Sequence, residues 1–225
     1  MGKLIIIPTP IGNLEDITLR ALKTLENVDL ILAEDTRHAH RLTEHYQIKT
    51  PKIAYHSHNE HYIADKISKE LALSDKKFAM VSDAGTPGIS DPAYLLINKC
   101  LEMGVEVECL PGATAFVPAL VQSGLSTSSF CFEGFLPHQK GRSKKLKALK
   151  DETRTMIFYE SPYRLLKTLD QFCEYFGSER KASVSRELTK IYAETRNGTL
   201  GQLLSVFKEQ KILGEFVIIV DGKEA

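Results

Sequence analysis

Four short segments hold the residue types and spacings that could do chemistry. PTPIGN at 8–13 combines two prolines with a glycine, which fixes the shape of a turn. AEDTR at 33–37 sets two carboxylates beside a guanidinium. SDAGTPGISDP spans 82–92, and LPGAT spans 110–114. The third is the most informative. Gly85 and Gly88 permit close backbone approach or positive φ, while Ser82, Asp83, Thr86, Ser90 and Asp91 offer side-chain oxygens. The segment contains neither lysine nor arginine, so it is not the lysine-bearing loop that cradles a triphosphate. Its chemistry suits a neutral or partly cationic ligand.

Two further clusters stand apart from these turns. Six of the seven histidines fall at 38, 40, 45, 56, 58 and 61. His38 and His40 are two residues apart on an expected helix and do not share a face. No metal is assigned, and the histidines read as solvated or hydrogen-bonding groups, with HSHNE at 56–60 the part nearest to function. The stretch 138–150 carries Lys140, Arg142, Lys144, Lys145, Lys147 and Lys150 and no acid. Its two readings are a solvated helix face and a mobile cationic arm suited to phosphates.

The elements that must position these segments follow from hydrophobic periodicity. Apolar runs at 4–7, 29–33, 52–55, 78–81 and 105–110 read as strands. Helices are expected after Thr18, over 36–46, around Ile63, Ile67 and Leu71, after Asp91-Pro92 as cap and first helical residue, and over 113–122. Each of the four segments then lies at the end of a strand, where open α/β sheets bind ligands. The pattern loosens over 123–142. It resumes with strands at 155–159, 182–186 and 216–220 and helices at 163–176 and 200–208. The fold class is α/β, in two lobes: residues 1–114 with a mostly parallel sheet, and residues 115–225 with a mixed one.

Composition bounds the partners. The chain has 225 residues, 43% hydrophobic and 26% charged, with 29 basic residues against 29 acidic ones. Global charge therefore advertises neither nucleic acid nor membrane, and any basic surface must be local. Cysteines 100, 109, 131 and 173 form no C-x-x-C pair, and Cys100 and Cys109 read as buried structural thiols. The apolar run near the N-terminus is too short for a signal peptide, and no run approaches the ~20 residues of a membrane span. A cytoplasmic location is expected.

Taken in order, PTPIGNLEDIT, AEDTR, HNE at 58–60, SDAGTPGISDP, LPGATA, FEGFLP at 132–137, YESPYR at 159–164 and RELTK at 186–190 carry a resemblance. The chain is similar to the tetrapyrrole-methylase family of S-adenosylmethionine enzymes, in the branch that methylates a cytidine ribose 2′-hydroxyl of 16S rRNA. The likeness runs from Lys3 to Val220. It implies a homodimer whose lobes enclose S-adenosylmethionine, with the small ribosomal subunit as partner. The cofactor shell carried over by motif is Pro8, Asp83, Ala84, Gly85, Thr86, Gly112, Ala113, Thr114, Tyr159 and Glu160. Asp35, Glu187 and Lys190 are the candidates for accepting the hydroxyl proton or stabilising its alkoxide, with Arg37 orienting a phosphate or carboxylate. Lys140, Arg142, Lys144, Lys145 and Arg186 are the expected RNA contacts. Two residues depart from the pattern: Ala93 stands where glycine is usual, and Tyr163 where histidine is. A tetrapyrrole methyltransferase and an RNA-binding assembly factor with a vestigial pocket are the competing readings.

Overall fold

The computed structural model describes residues 2–223. The chain forms two compact units, one ending at Thr114 and the other beginning at Ala115. In the first, β1 (Lys3–Ile6), β2 (Leu30–Ala33), β3 (Lys52–Ala54), β4 (Lys77–Val81) and β5 (Glu106–Cys109) form one sheet in the order β3-β2-β4-β1-β5. Every pairing in it is parallel. Helices α1 (Leu19–Asn27) and α2 (Thr36–His45) cover one face through Ala21, Leu25, Ala39 and Leu42. Helices α3 (Glu60–Ala72) and α4 (Tyr94–Glu102) cover the other through Ala64, Ile67, Leu71, Leu96 and Cys100. Covered on both sides, the central strands read as nearly unbroken apolar runs, as buried parallel strands do. Thr18 caps α1 by accepting from the Ala21 N–H at 3.0 Å.

The second unit pairs β6 (Phe130–Phe135), β7 (Thr155–Glu160), β8 (Lys181–Arg186), β9 (Glu194–Thr199) and β10 (Phe216–Val220) in the order β6-β7-β10-β8-β9. Only β6 and β7 run parallel; the rest of this mixed sheet is antiparallel. Helices α6 (Arg142–Leu149), α7 (Leu165–Phe176) and α8 (Leu200–Lys208) pack on one face. Helix α5 (Phe116–Gln122) lies on the other, with the Phe116 ring 5.0 Å from Phe132 and Gln122 accepting from Thr195 and Asn197. No helix among the described residues is long and apolar enough to cross a membrane.

The structure corrects four expectations about the elements. Asp91 and Pro92 do not open α4, which begins at Tyr94 with no side-chain cap. Burial decides that start: Ala93 is fully buried in the core beneath the helix. Helix α5 begins at Phe116 rather than at 113, because the Ala113 carbonyl is held by Thr86. The loose region contains β6, and the hairpin strand β9 carries too few apolar residues to register as a strand. Cys100 is buried, but Cys109 is exposed.

Candidate functional site

The parallel sheet directs the turns after β1, β2, β4 and β5 to its carboxyl edge. Strand β4 lies between β2 and β1, whose following helices cover one face, while its own following helix covers the other. Chain connections that part in this way open a crevice beyond the strand ends. The segment SDAGTPGISDP therefore sits at the switch point of the sheet.

Hydrogen bonds stitch the turns together. Thr9 and Gly85 exchange two backbone hydrogen bonds of 2.9 Å, and the Thr9 hydroxyl donates to the Ser82 carbonyl at 3.0 Å. The Thr86 hydroxyl donates to the Ala113 carbonyl at 3.1 Å. Gly112 lies against Pro8 so closely that an added Cβ would fall 2.6 Å from the proline Cβ. Gly85 has φ +83°, open to glycine without strain. Pro8, the 83–86 turn and the 112–114 turn thus form one cradle of backbone groups.

The β2 turn joins it through Asp83. The Asp35 N–H donates to Asp83 Oδ1 at 3.1 Å, and the Asp83 N–H donates to Glu34 Oε2 at 3.4 Å. His38 Nδ1 lies 3.2 Å from Asp83 Oδ2. Asp83 is thus a tie between two turns, and its carboxylate is engaged rather than free. Asp35 caps α2 by accepting from the Arg37 N–H at 2.8 Å, and it also grips the Arg37 guanidinium. That guanidinium, seconded by the Arg37 N–H, holds the Asp35 carboxyl well below the usual carboxylate range. Both Asp35 oxygens are thus engaged by Arg37. Burial pushes the Glu34 carboxyl up, aided by the charge of Asp83 and opposed by the Asp83 N–H and by His38.

In the second unit, residues assigned by motif fall along one end of the sheet. Register pairs Phe216 with both Glu160 and Arg186, and Arg186 with Glu194. Glu160 requires correction as a ligand contact. It is 1% exposed. One of its oxygens accepts from the Ser161 N–H and pairs with Arg164 at 2.8 Å, and the other accepts from the Thr168 hydroxyl at 2.6 Å. Arg142 requires correction as an RNA contact. It is 3% exposed and donates to Gln171, the Pro137 carbonyl and Thr168 at 2.7, 3.1 and 2.6 Å. The basic stretch is not a mobile arm, since Arg142, Leu146 and Leu149 anchor it as α6. Lys140 and Lys144 are exposed, whereas Lys145 pairs with Glu133.

Tyr159 is half-buried, its ring 5.1 Å from Phe132 and 5.6 Å from Phe135. Arg186 pairs with Glu194 at 2.8 Å. Glu187, at φ 49°, accepts from Lys190 at 2.9 Å and from the Glu215 N–H at 3.2 Å. Burial pushes its carboxyl up, but the Lys190 ammonium and the Glu215 N–H together hold it below its ordinary value. Glu187 and Lys190 thus satisfy one another.

Sequence reasoning counted Glu34 among the carboxylates of AEDTR and read His38 as a solvated or hydrogen-bonding histidine, and it assigned neither to the site. The available signal was the cap: His38 follows Asp35 by three residues, one helical turn along the same side. HSHNE proves to be turn architecture, with Asn59 accepting from the His56 N–H at 2.9 Å and donating to the Ala54 carbonyl at 3.1 Å. Among the described residues, no group of three or more His, Cys, Asp or Glu side chains could hold a metal ion.

Comparison with known proteins agrees with this architecture. A ribosomal RNA small subunit methyltransferase I from Thermotoga maritima is 49% identical over the whole of both chains. The protein of the same name from Escherichia coli O157:H7 is 47% identical, covering 100% of this chain and 79% of that one. A uroporphyrin-III C-methyltransferase from Thermus thermophilus, solved with S-adenosylhomocysteine, shares the fold. Its TM-score is 0.66 at 16% identity, over 99% of this chain and 98% of that one. Residues 3–204 match the family model of tetrapyrrole (corrin/porphyrin) methylases. With most of its length matched by that model and a relative of nearly half identity matched end to end, the chain belongs to the tetrapyrrole methylase family.

Proposed function

We propose that the chain is an S-adenosylmethionine-dependent methyltransferase that 2′-O-methylates a cytidine ribose in the 16S rRNA of the small ribosomal subunit. The observation that carries this reading is the full-length identity of 49% to a ribosomal RNA small subunit methyltransferase. The chain acts in the cytoplasm, as a homodimer.

The first unit's cradle fits S-adenosylmethionine. Pro8, the backbone of Asp83, Ala84, Gly85 and Thr86, and the backbone of Gly112, Ala113 and Thr114 offer carbonyls and N–H groups at van der Waals approach. Gly112 lets its turn close against Pro8, and Gly85 holds a positive φ beside them. Neither the 82–92 segment nor the 110–114 segment carries a lysine or arginine, and Glu34, Asp35 and Asp83 crowd the same edge. A cationic ligand is favoured there by simple electrostatics. When bound, the cofactor supplies an electrophilic methyl group. The chain's own part is to hold the ribose hydroxyl in line with it, exclude water and take up the proton.

The test is methyl incorporation. Small ribosomal subunits lacking the modification, incubated with the chain and labelled S-adenosylmethionine, should gain one 2′-O-methyl cytidine in 16S rRNA. A tetrapyrrole precursor in place of subunits should gain none. Label appearing on the tetrapyrrole instead would overturn the substrate assignment.

RNA contact is assigned to Lys140 and to the exposed side of α6 that follows it. Changing Lys140, Lys144 and Lys147 to glutamine should weaken subunit binding and reduce the slope of log affinity against log salt by roughly 2 to 3. An unchanged slope would make α6 a solvated face only.

A further inference from the structure

We propose that His38 is the catalytic proton acceptor for the ribose hydroxyl and that Asp83 is its positioning residue. The inference rests on the proposed methyl transfer to RNA. Its basis is geometric. Asp83 Oδ2 lies 3.2 Å from His38 Nδ1, and Asp83 Oδ1 is fixed by the Asp35 N–H at 3.1 Å, so the carboxylate cannot swing away without breaking the tie between turns. A carboxylate facing Nδ1 selects the tautomer with its proton on that nitrogen. Nε2 then carries the lone pair, on a side chain that is 50% exposed. Both residues stand at the carboxyl edge of β2 and β4, the switch point at which the sheet binds ligands.

The other carboxylates at this edge are less suited to the task. Asp35 is saturated by Arg37. Glu34 is tied by the Asp83 N–H. The carboxylates that interact with the imidazole are Glu34 and Asp35 from the β2 turn and Asp83 from the β4 turn, while Arg37 is bound to Asp35.

The step balances. The 2′-oxygen forms its bond to the methyl carbon as the methyl–sulfur bond breaks, and that electron pair stays on sulfur. The hydroxyl proton passes to Nε2, and the half-exposed imidazolium returns it to solvent. Neither oxidant nor metal enters.

The experiment uses the full chain, small ribosomal subunits lacking the modification and labelled S-adenosylmethionine. His38→Gln should lower kcat by about 10²- to 10⁴-fold, with calorimetric affinity for S-adenosylmethionine and KM for subunits unchanged. Added imidazole should restore part of the activity of His38→Ala, which a structural role would not allow. Nitrogen-15 NMR of the unliganded chain should show His38 protonated on Nδ1, and Asp83→Asn should abolish that preference. A His38→Gln enzyme within fivefold of wild type, or a wild-type His38 protonated on Nε2, would overturn the dyad. A wild-type chain that transfers no methyl would overturn the proposed reaction and the catalytic role with it. That outcome is distinct from an active wild type indifferent to His38.

Discussion

Replacing Arg142 by alanine will destabilise the second unit by about 3 kcal/mol, far more than any other cation of the basic stretch. The guanidinium is buried, and all three of its nitrogens are engaged, by Gln171, Pro137 and Thr168. Through Thr168 it also braces the buried Glu160 carboxylate, whose other oxygen meets Arg164 at 2.8 Å. Removing the guanidinium leaves the Gln171 amide and the Pro137 carbonyl without their donor and weakens the counter-charge to Glu160. Arg164 remains, which keeps the effect at the low end of the range for broken buried pairs. Urea denaturation should show the loss for Arg142→Ala, with less than about 0.5 kcal/mol for Lys144→Ala. The salt slope of RNA binding should respond in the opposite way, falling for Lys144→Ala and holding for Arg142→Ala. A small stability loss with a reduced slope would return Arg142 to the RNA surface.

The reversal at Arg142 shows where sequence reading stops. Composition marks 138–150 as basic, but sequence has no means of telling which cation turns inward. The deciding facts are the Glu160 and Thr168 side chains on β7 and α7, 18 or more residues away in the chain. The same limit governs the carboxylates. AEDTR announces acid and base at a strand end, yet only the folded turn shows Asp35 consumed as cap and as partner of Arg37. The histidine that closes on Asp83 is separated from it by a whole β-α-β passage, so the sequence does not pair the two.

What was legible was whatever local chemistry dictates. The strands of the first sheet are apolar because both faces are covered, so periodicity and length find them. The strand-end turns follow from glycine and proline placement. By contrast, β9 reads ETRNGT and exists because β8 pairs with it along its length. Strand β6 hides beside a glycine-containing bulge. Helix α4 starts where Ala93 meets the core, not at the Asp-Pro that locally offers a cap. Tertiary packing overrode propensity at each of these places.

Gly112→Ala will separate structural damage from damage to the cradle. A Cβ there would stand 2.6 Å from Pro8 Cβ and 3.0 Å from its Cγ. The proline ring cannot rotate out of the way, and Pro8 is itself buried. The turns after β1 and β5 must part, straining the Thr86 to Ala113 hydrogen bond that closes the proposed cofactor site. Overpacking of this kind costs about 1–3 kcal/mol of stability. If the cradle holds S-adenosylmethionine as proposed, affinity should fall about tenfold, corresponding to some 1.4 kcal/mol. Gly124→Ala is the matched control. It has open space around it but φ +67°, so alanine costs about 1–2 kcal/mol in backbone strain. Calorimetry should find its cofactor affinity unchanged at a comparable loss of stability. Equal affinity losses in the two variants would mean that binding tracks global stability, and the Pro8–Gly112 contact would lose its place in the site.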